Sequence, residues 1–159
     1  MSARKNPRPT RSVARSAARL AAVQALYQRE MEATPLHILL DEFHQHRLGR
    51  PIEEEPVADA EIAFFDDVVA GAIARLVEID GLLSERLATG WSLQRIDRTM
   101  KQILRCGAYE LLARHDVPVG TVISEYLDVA HAFFDDREAK FVNGVLDAVA
   151  KAVRPPTGA

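Results

Sequence analysis

The sequence predicts an all-α fold of about seven helices, and three observations carry that prediction. Apolar residues recur at three- and four-residue steps from residue 11 to residue 153, the period of helices that each bury one stripe. Breakers interrupt the period at short intervals, at Thr34-Pro35, Thr89-Gly90, Val117-Pro118 and Pro155-Pro156, so the links are short and consecutive helices are neighbours. No stretch alternates with period two for long enough to form a strand. Helices joined in this way imply a bundle or two packed sub-bundles.

Each element has its own signal. Residues 1–10 carry Pro7 and Pro9 among basic residues and read as a disordered extension. Residues 11–155 read as one helical domain, and 156–159 as a tail. The first helix, about 11–31, places Val13, Ala17, Leu20, Val23, Tyr27 and Met31 on an apolar stripe. Thr34 and Pro35 suit the N-cap and first turn of a second helix over 35–47, with Leu36, Leu39, Leu40 and Phe43 inward. Gly49, Pro51, Glu53 to Glu55 and Pro56 make 48–58 an acidic loop. A helix over 60–78, capped by Asp59, carries Ile62, Phe65, Val69, Ile73 and Leu76. Asp80-Gly81 is expected to bend the chain into a short helix over 81–88. Ser92 is a candidate cap for the next helix, which keeps its period through Ile96, Met100, Ile103, Leu104, Gly107 and Leu111. Val122, Tyr126, Val129, Ala130 and Phe133 mark the sixth helix. Phe141, Val145, Val149 and Val153 mark the last.

Composition excludes several function classes. A single cysteine, Cys106, rules out an internal disulfide and suits a reducing compartment. No apolar run approaches the ~18 residues of a membrane span. The basic N-terminus has no apolar segment behind it, so a cytoplasmic location is expected. The eight glycines form no phosphate loop, and neither CxxC nor HExxH occurs. His44 and His46 are two apart and fall on different faces of a helix, a poor metal pair. Asp66-Asp67 and Asp135-Asp136 are adjacent, diverge by about 100° and read as solvated faces or caps. Cys106 reads as an inert core thiol. Neither catalysis nor a cofactor is expected.

Charge is distributed unevenly. Net charge is −3, yet residues 1–20 hold Arg4, Lys5, Arg8, Arg11, Arg15 and Arg19 and no acid. A basic head on an acidic body suits a polyanionic partner. Arg11, Arg15 and Arg19, spaced i, i+4, i+8, fall within an arc of about 80°. Leu20, Tyr27 and Val13 centre on the opposite side, so one face reads as guanidinium and the other as core. Such crowding opposes folding, because like charges repel at i,i+4 and a helix N-terminus disfavours cations. A bound phosphate backbone would compensate, since arginine contacts phosphate with two parallel hydrogen bonds. The competing reading is a solvated arginine-rich face. Arg98, Lys101 and Arg105 share another flank, where pairing with acids elsewhere is the favoured reading. Lys140, Phe141 and Asn143 bring a cation, a ring and an amide together, a set suited to unpaired bases, although Phe141 also fits the core period.

Four ordered blocks carry a family resemblance: ARLAAVQALYQ at 18–28, ILRCGAYEL at 103–111 followed by Asp116-Val117-Pro118, ISEYLDVAHAF at 123–133, and KFVNGVLD at 140–147 with Val153-Arg154-Pro155 behind it. Over 11–155 the sequence resembles the NusB family. The resemblance implies an all-α fold of two packed helical sub-bundles. It implies binding of single-stranded boxA-type leader RNA together with NusE, a small-subunit ribosomal protein. It also implies membership of the RNA polymerase antitermination complex, notably in rRNA synthesis. Arg15 and Arg19 match basic positions of the family's RNA-binding helix, and Arg11 a less constrained one. Lys140, Phe141 and Asn143 match the block bordering the RNA surface, with Arg137 as an added cation. Leu82, Arg86 and Met100 fall where NusE is expected, although Arg86 and Met100 depart from the residue types expected there. The 1–10 extension and the 48–58 loop depart from the family's compact pattern. Two alternatives stand beside this reading. One is a protein-interaction module or homodimer whose arginine face is occluded. The other is an RNA-modifying enzyme, since a similar domain precedes the catalytic domain of some rRNA cytosine-5 methyltransferases; 159 residues leave no room for a cofactor-binding sheet.

Overall fold

The computed structural model describes residues 11–46 and 56–155, and among them it holds seven α-helices and no strand. They are α1 (Arg11–Glu32), α2 (Leu36–His46), α3 (Pro56–Ala74), α4 (Leu76–Ser84), α5 (Arg98–Ala113), α6 (Val119–Phe133) and α7 (Asp136–Val153), with a 3-10 turn at Leu93–Arg95 before α5. The expected extension at 1–10, most of the acidic loop and the tail lie outside the described residues.

α1, α2 and α3 pack as one group and α4 to α7 as a second, and the groups meet where α5 lies against α1 and α3. The third helix starts at Pro56, earlier than expected, so Asp59 lies inside it. The break after α3 is at Arg75 and not at Asp80-Gly81. Arg75 leaves helical geometry (φ −109°, ψ 22°) and is held by Glu78 at 2.9 and 3.0 Å. Asp97, and not Ser92, caps α5, its carboxylate accepting from the backbone N–H of Thr99 (2.8 Å) and Met100 (3.1 Å).

The stripe that α1 buries differs from the expected one. Ala14, Ala18, Ala21, Ala22 and Ala25 are buried with Val23 and Leu26, whereas Val13 is 57% exposed and Tyr27 and Met31 are also exposed. Small side chains let α1 approach α3 closely. Gly71 does the same between α3 and α5, where an added Cβ would lie 2.2 Å from the Tyr109 ring.

Arg154, just past the end of α7, locks the second group. The Arg154 guanidinium donates to the carbonyl oxygens of Glu110, Leu111, Arg114 and Val117. It thereby reinforces the end of α5, giving a donor to the Leu111 carbonyl and a second one to the Glu110 and Arg114 carbonyls, which already accept backbone N–H groups.

Candidate nucleic-acid interface

On the arginine face of α1, Arg19 turns inward. Arg19 is 2% exposed and makes a two-bond contact with Glu110 at 2.9 and 3.0 Å. Glu125 lies 3.5 Å from the same guanidinium and accepts from the Ser16 hydroxyl at 2.8 Å. Tyr126 donates to Glu110. Burial opposes the charge on Arg19, but the Glu110 hydrogen bonds and charge outweigh it and hold the group above its ordinary range. Burial first, then Glu110, pushes the Tyr126 hydroxyl well above its usual value. Arg19 therefore has no surface to give a phosphate, and its placement on an open basic face is corrected. Arg15 and Arg19, one turn apart, lie along the side of α1 that meets α5 and α6. Glu110, buried on α5, and Glu125, half-buried on α6, compensate the charge of Arg19.

Arg15 lies one turn nearer the end of α1 and stays partly accessible, with its side chain 27% exposed. Its guanidinium sits 4.7 Å from the centroid of the Phe64 ring and 3.9 Å from Asp116. Arg19 and Arg114 approach the same ring at 4.9 Å each, so one phenyl ring gathers three cations. Arg11 opens α1, and its side chain lies outside the described residues.

The start of α7 presents the second set. Arg137, Lys140 and Asn143 are exposed. Lys140 and Asn143, three residues apart, line a cleft of about 250 Å3 with Leu127 and His131 of α6. Phe141 diverges from that cleft. Half-buried against the core, its ring meets the indole of Trp91 with centroids 5.9 Å apart and planes tilted by 36°. Arg15 and the α7 set flank α6 on opposite sides: Ser16 touches Glu125, and the cleft opens beside Leu127 and His131. Along the α6 axis those levels differ by only about 3–9 Å at 1.5 Å per residue. The two sets do not form one cluster.

The residues expected to face a protein partner fare differently. Met100 is 8% exposed and belongs to the core, which corrects its placement on a partner surface. Leu82 and Arg86 are half-buried, and the Arg86 guanidinium is turned back onto the Leu82 carbonyl (3.0 Å) and Glu85 (3.2 Å). A groove of about 370 Å3 with a mixed lining lies elsewhere, bordered by Tyr27, Met31 and Phe133 on its apolar side and by Gln24, Gln28 and Glu32 on its polar side. The sequence marked Tyr27 and Met31 as core because large apolar residues at helical spacing are usually inside. The alanine run on the other face was the available signal for the reverse assignment.

Other expectations can be placed. Lys101 pairs with Glu30 at 2.7 Å, and Arg105 pairs with Asp80 at 2.8 Å and Glu30 at 3.4 Å, so the pairing reading holds for these two; Arg98 instead reaches the Met31 sulfur at 2.8 Å. Asp66 and Asp67 are not a solvated pair: Asp66 meets His44 at 2.5 Å, and Asp67 accepts from Tyr109 at 2.8 Å and Arg114 at 3.1 Å. Burial and then the Asp67 contact push the Tyr109 hydroxyl up to about 12. Cys106 is fully buried, and burial pushes its thiol up, which matches an inert thiol. No group of three or more metal-ligating side chains occurs among the described residues. No described helix is long and apolar enough to cross a membrane.

With this geometry in place, the comparisons identify the family. The NusB family model matches residues 16–151. Transcription antitermination protein NusB of Novosphingobium aromaticivorans is 75% identical over 141 residues, covering 89% of this chain and 95% of that protein. The protein of the same name from Caulobacter vibrioides is 46% identical over 140 residues, covering 88% and 94%. Among solved structures, T. maritima NusB is 31% identical with a TM-score of 0.74 and covers 95% of both chains. A crystal structure of antitermination factors NusB and NusE in complex with double-stranded RNA is 27% identical with a TM-score of 0.74, covering 87% of this chain and 97% of that one. The chain belongs to the NusB family.

Proposed function

We propose that this protein is an RNA-binding transcription antitermination factor, and not an enzyme. It binds boxA-type leader RNA together with NusE and joins the RNA polymerase complex in the cytoplasm, notably during rRNA synthesis. The observation that carries the RNA half is the start of α7. Lys140 and Asn143 are exposed beside a cleft, and Phe141 on the same turn carries its ring to the neighbouring face, against Trp91. A cation for phosphate, an amide for base edges and a ring for stacking are what unpaired RNA requires. Arg15, across α6, and Arg137 add phosphate contacts, and Arg11 extends them toward the N-terminus. Arg19 positions α1 from beneath.

The groove between Tyr27, Met31 and Phe133 supports the protein-partner half. Large apolar side chains left at the surface together mark interaction sites. The same groove favours one second reading, a homodimer or interaction module in which this face, and not the arginine face, is covered.

The deciding experiment measures the affinity of the chain for single-stranded boxA-type RNA with and without NusE. A shared contact surface raises the affinity of the pair well above that of the chain alone. Equal affinities would refute the adaptor role, and a doubled mass in solution without RNA would favour the dimer.

A further inference from the structure

Trp91 stands in the link between α4 and the 3-10 turn, and it is 58% exposed. Folding does not need it there, because Leu93 and Ile96, two and five residues on, anchor the link in the core. The backbone nonetheless fixes its position. Gly90 adopts φ +91°, a conformation that favours glycine, and the Trp91 N–H closes the turn onto the Ala88 carbonyl at 2.9 Å. The indole is thus held out on a built turn, tilted against the ring of Phe141. It also borders a cleft of about 560 Å3 with Ser92 and Gln94; the cations of that cleft, Lys101 and Arg105, are paired with its acids Glu30 and Asp80. Tyr27, Met31 and Phe133 line a different groove, so Trp91 is not part of that apolar surface.

We propose that Trp91 and Phe141 form a two-ring platform on which unpaired bases of the bound RNA stack. Trp91 is the exposed ring of the pair and Phe141, half-buried, backs it, so a base stacks first on the indole. Lys140, next to Phe141, reaches the phosphate, and Ser92 and Gln94 offer a hydroxyl and an amide at the far rim. The platform extends the RNA track from α7 onto the link before α5. This inference rests on the RNA-binding reading above and adds to it a residue and a mode of contact.

Trp91 is the single tryptophan of the chain, so selectively excited tryptophan emission reports on this site alone. In one titration, the full chain receives a dye-labelled single-stranded boxA-type RNA and binding is read from dye anisotropy. In a second, the unlabelled strand is added and tryptophan emission is read. Stacking quenches the indole, with the same midpoint as the anisotropy rise. The same RNA annealed into a duplex does not quench it. Trp91→Ala weakens single-strand binding roughly 5- to 150-fold, Trp91→Phe retains most of the affinity, and neither changes the slope of log K against log salt, since no phosphate contact is lost. Circular dichroism checks that both variants fold. Binding with unchanged emission and unchanged affinity in Trp91→Ala would overturn the platform and leave the RNA reading standing. No binding of any RNA, with or without NusE, would remove both. Quenching by NusE but not by RNA would assign the indole to a protein surface and overturn the proposal.

Discussion

Removing the Arg19 guanidinium leaves Glu110 buried among apolar side chains with only Tyr126 to bind it. A buried charge stripped of its partner costs about 3–5 kcal/mol, so Arg19→Ala should lower the urea midpoint by that equivalent. Any loss of RNA binding it shows should scale with the fraction unfolded. Arg15, one turn away, should behave in the opposite way. Its ion pair with Asp116 is long and partly solvated, worth at most about 1 kcal/mol. Its Phe64 ring contact adds about 0.5–1 kcal/mol, so Arg15→Ala should cost well under the Arg19 change and flatten the slope of log K against log salt by about 0.7. A stable Arg19→Ala protein with a flattened salt slope would restore Arg19 to the RNA surface. From sequence, the two residues looked alike. Their difference depends on Glu110 and Glu125, which are distant in the chain and carry no local signal.

At the scale of elements, two glycines make opposite predictions. Gly81, inside α4, has open space where a Cβ would go. Gly81→Ala should therefore stabilise the protein by about 0.5–1 kcal/mol, the helix-propensity gain. Gly71 has the Tyr109 ring in the way, and that ring is held by Asp67. Overpacking of about 1–3 kcal/mol exceeds the propensity gain, so Gly71→Ala should destabilise. Thermal unfolding of the two variants side by side checks both signs.

The α1–α5 contact should also titrate. Burial alone raises the Glu30 carboxyl, but Lys101 and Arg105 overrule it and hold it below its ordinary 4.5. A depressed pKa means that the stabilisation is complete above that ordinary value and is lost as pH falls through the native one. Urea midpoints between neutral and acid pH should fall less steeply for Glu30→Gln.

Helix number and most ends were legible in the sequence because period and breakers are local properties. The orientation of α1 was not: alanine is a weak hydrophobic signal, so a stripe of five could not outvote Val13, Tyr27 and Met31. The cap at Asp97 was missed because Ser92 offers the same chemistry five residues earlier.

At the scale of the molecule, Arg154 ties the end of α7 to the carbonyls that close α5. Hydrogen bonds from a charged donor contribute about 1.5–3 kcal/mol each, and four share this guanidinium. Arg154→Ala should lower thermal stability by several degrees or more while leaving the Lys140–Asn143 cleft, at the other end of α7, able to bind RNA. Loss of RNA binding without loss of stability would place Arg154 on the interface instead. The α7 half of the candidate site was legible because Lys140, Phe141 and Asn143 are near neighbours in sequence. Trp91 was not, since its link to Phe141 spans two helices and appears only once the fold brings them together.

The Arg19–Glu110 pair also sets an order for the chain during synthesis. Its partners are 91 residues apart. At roughly 5–20 residues per second, α1 waits about 5–20 s after Arg19 is made before its counter-ion exists. Until then the alanine face carries an uncompensated guanidinium and cannot close against α3 as it does in the native state. The N-terminal group therefore completes its core only after α5 has emerged, which couples the two halves of the molecule into one late folding event.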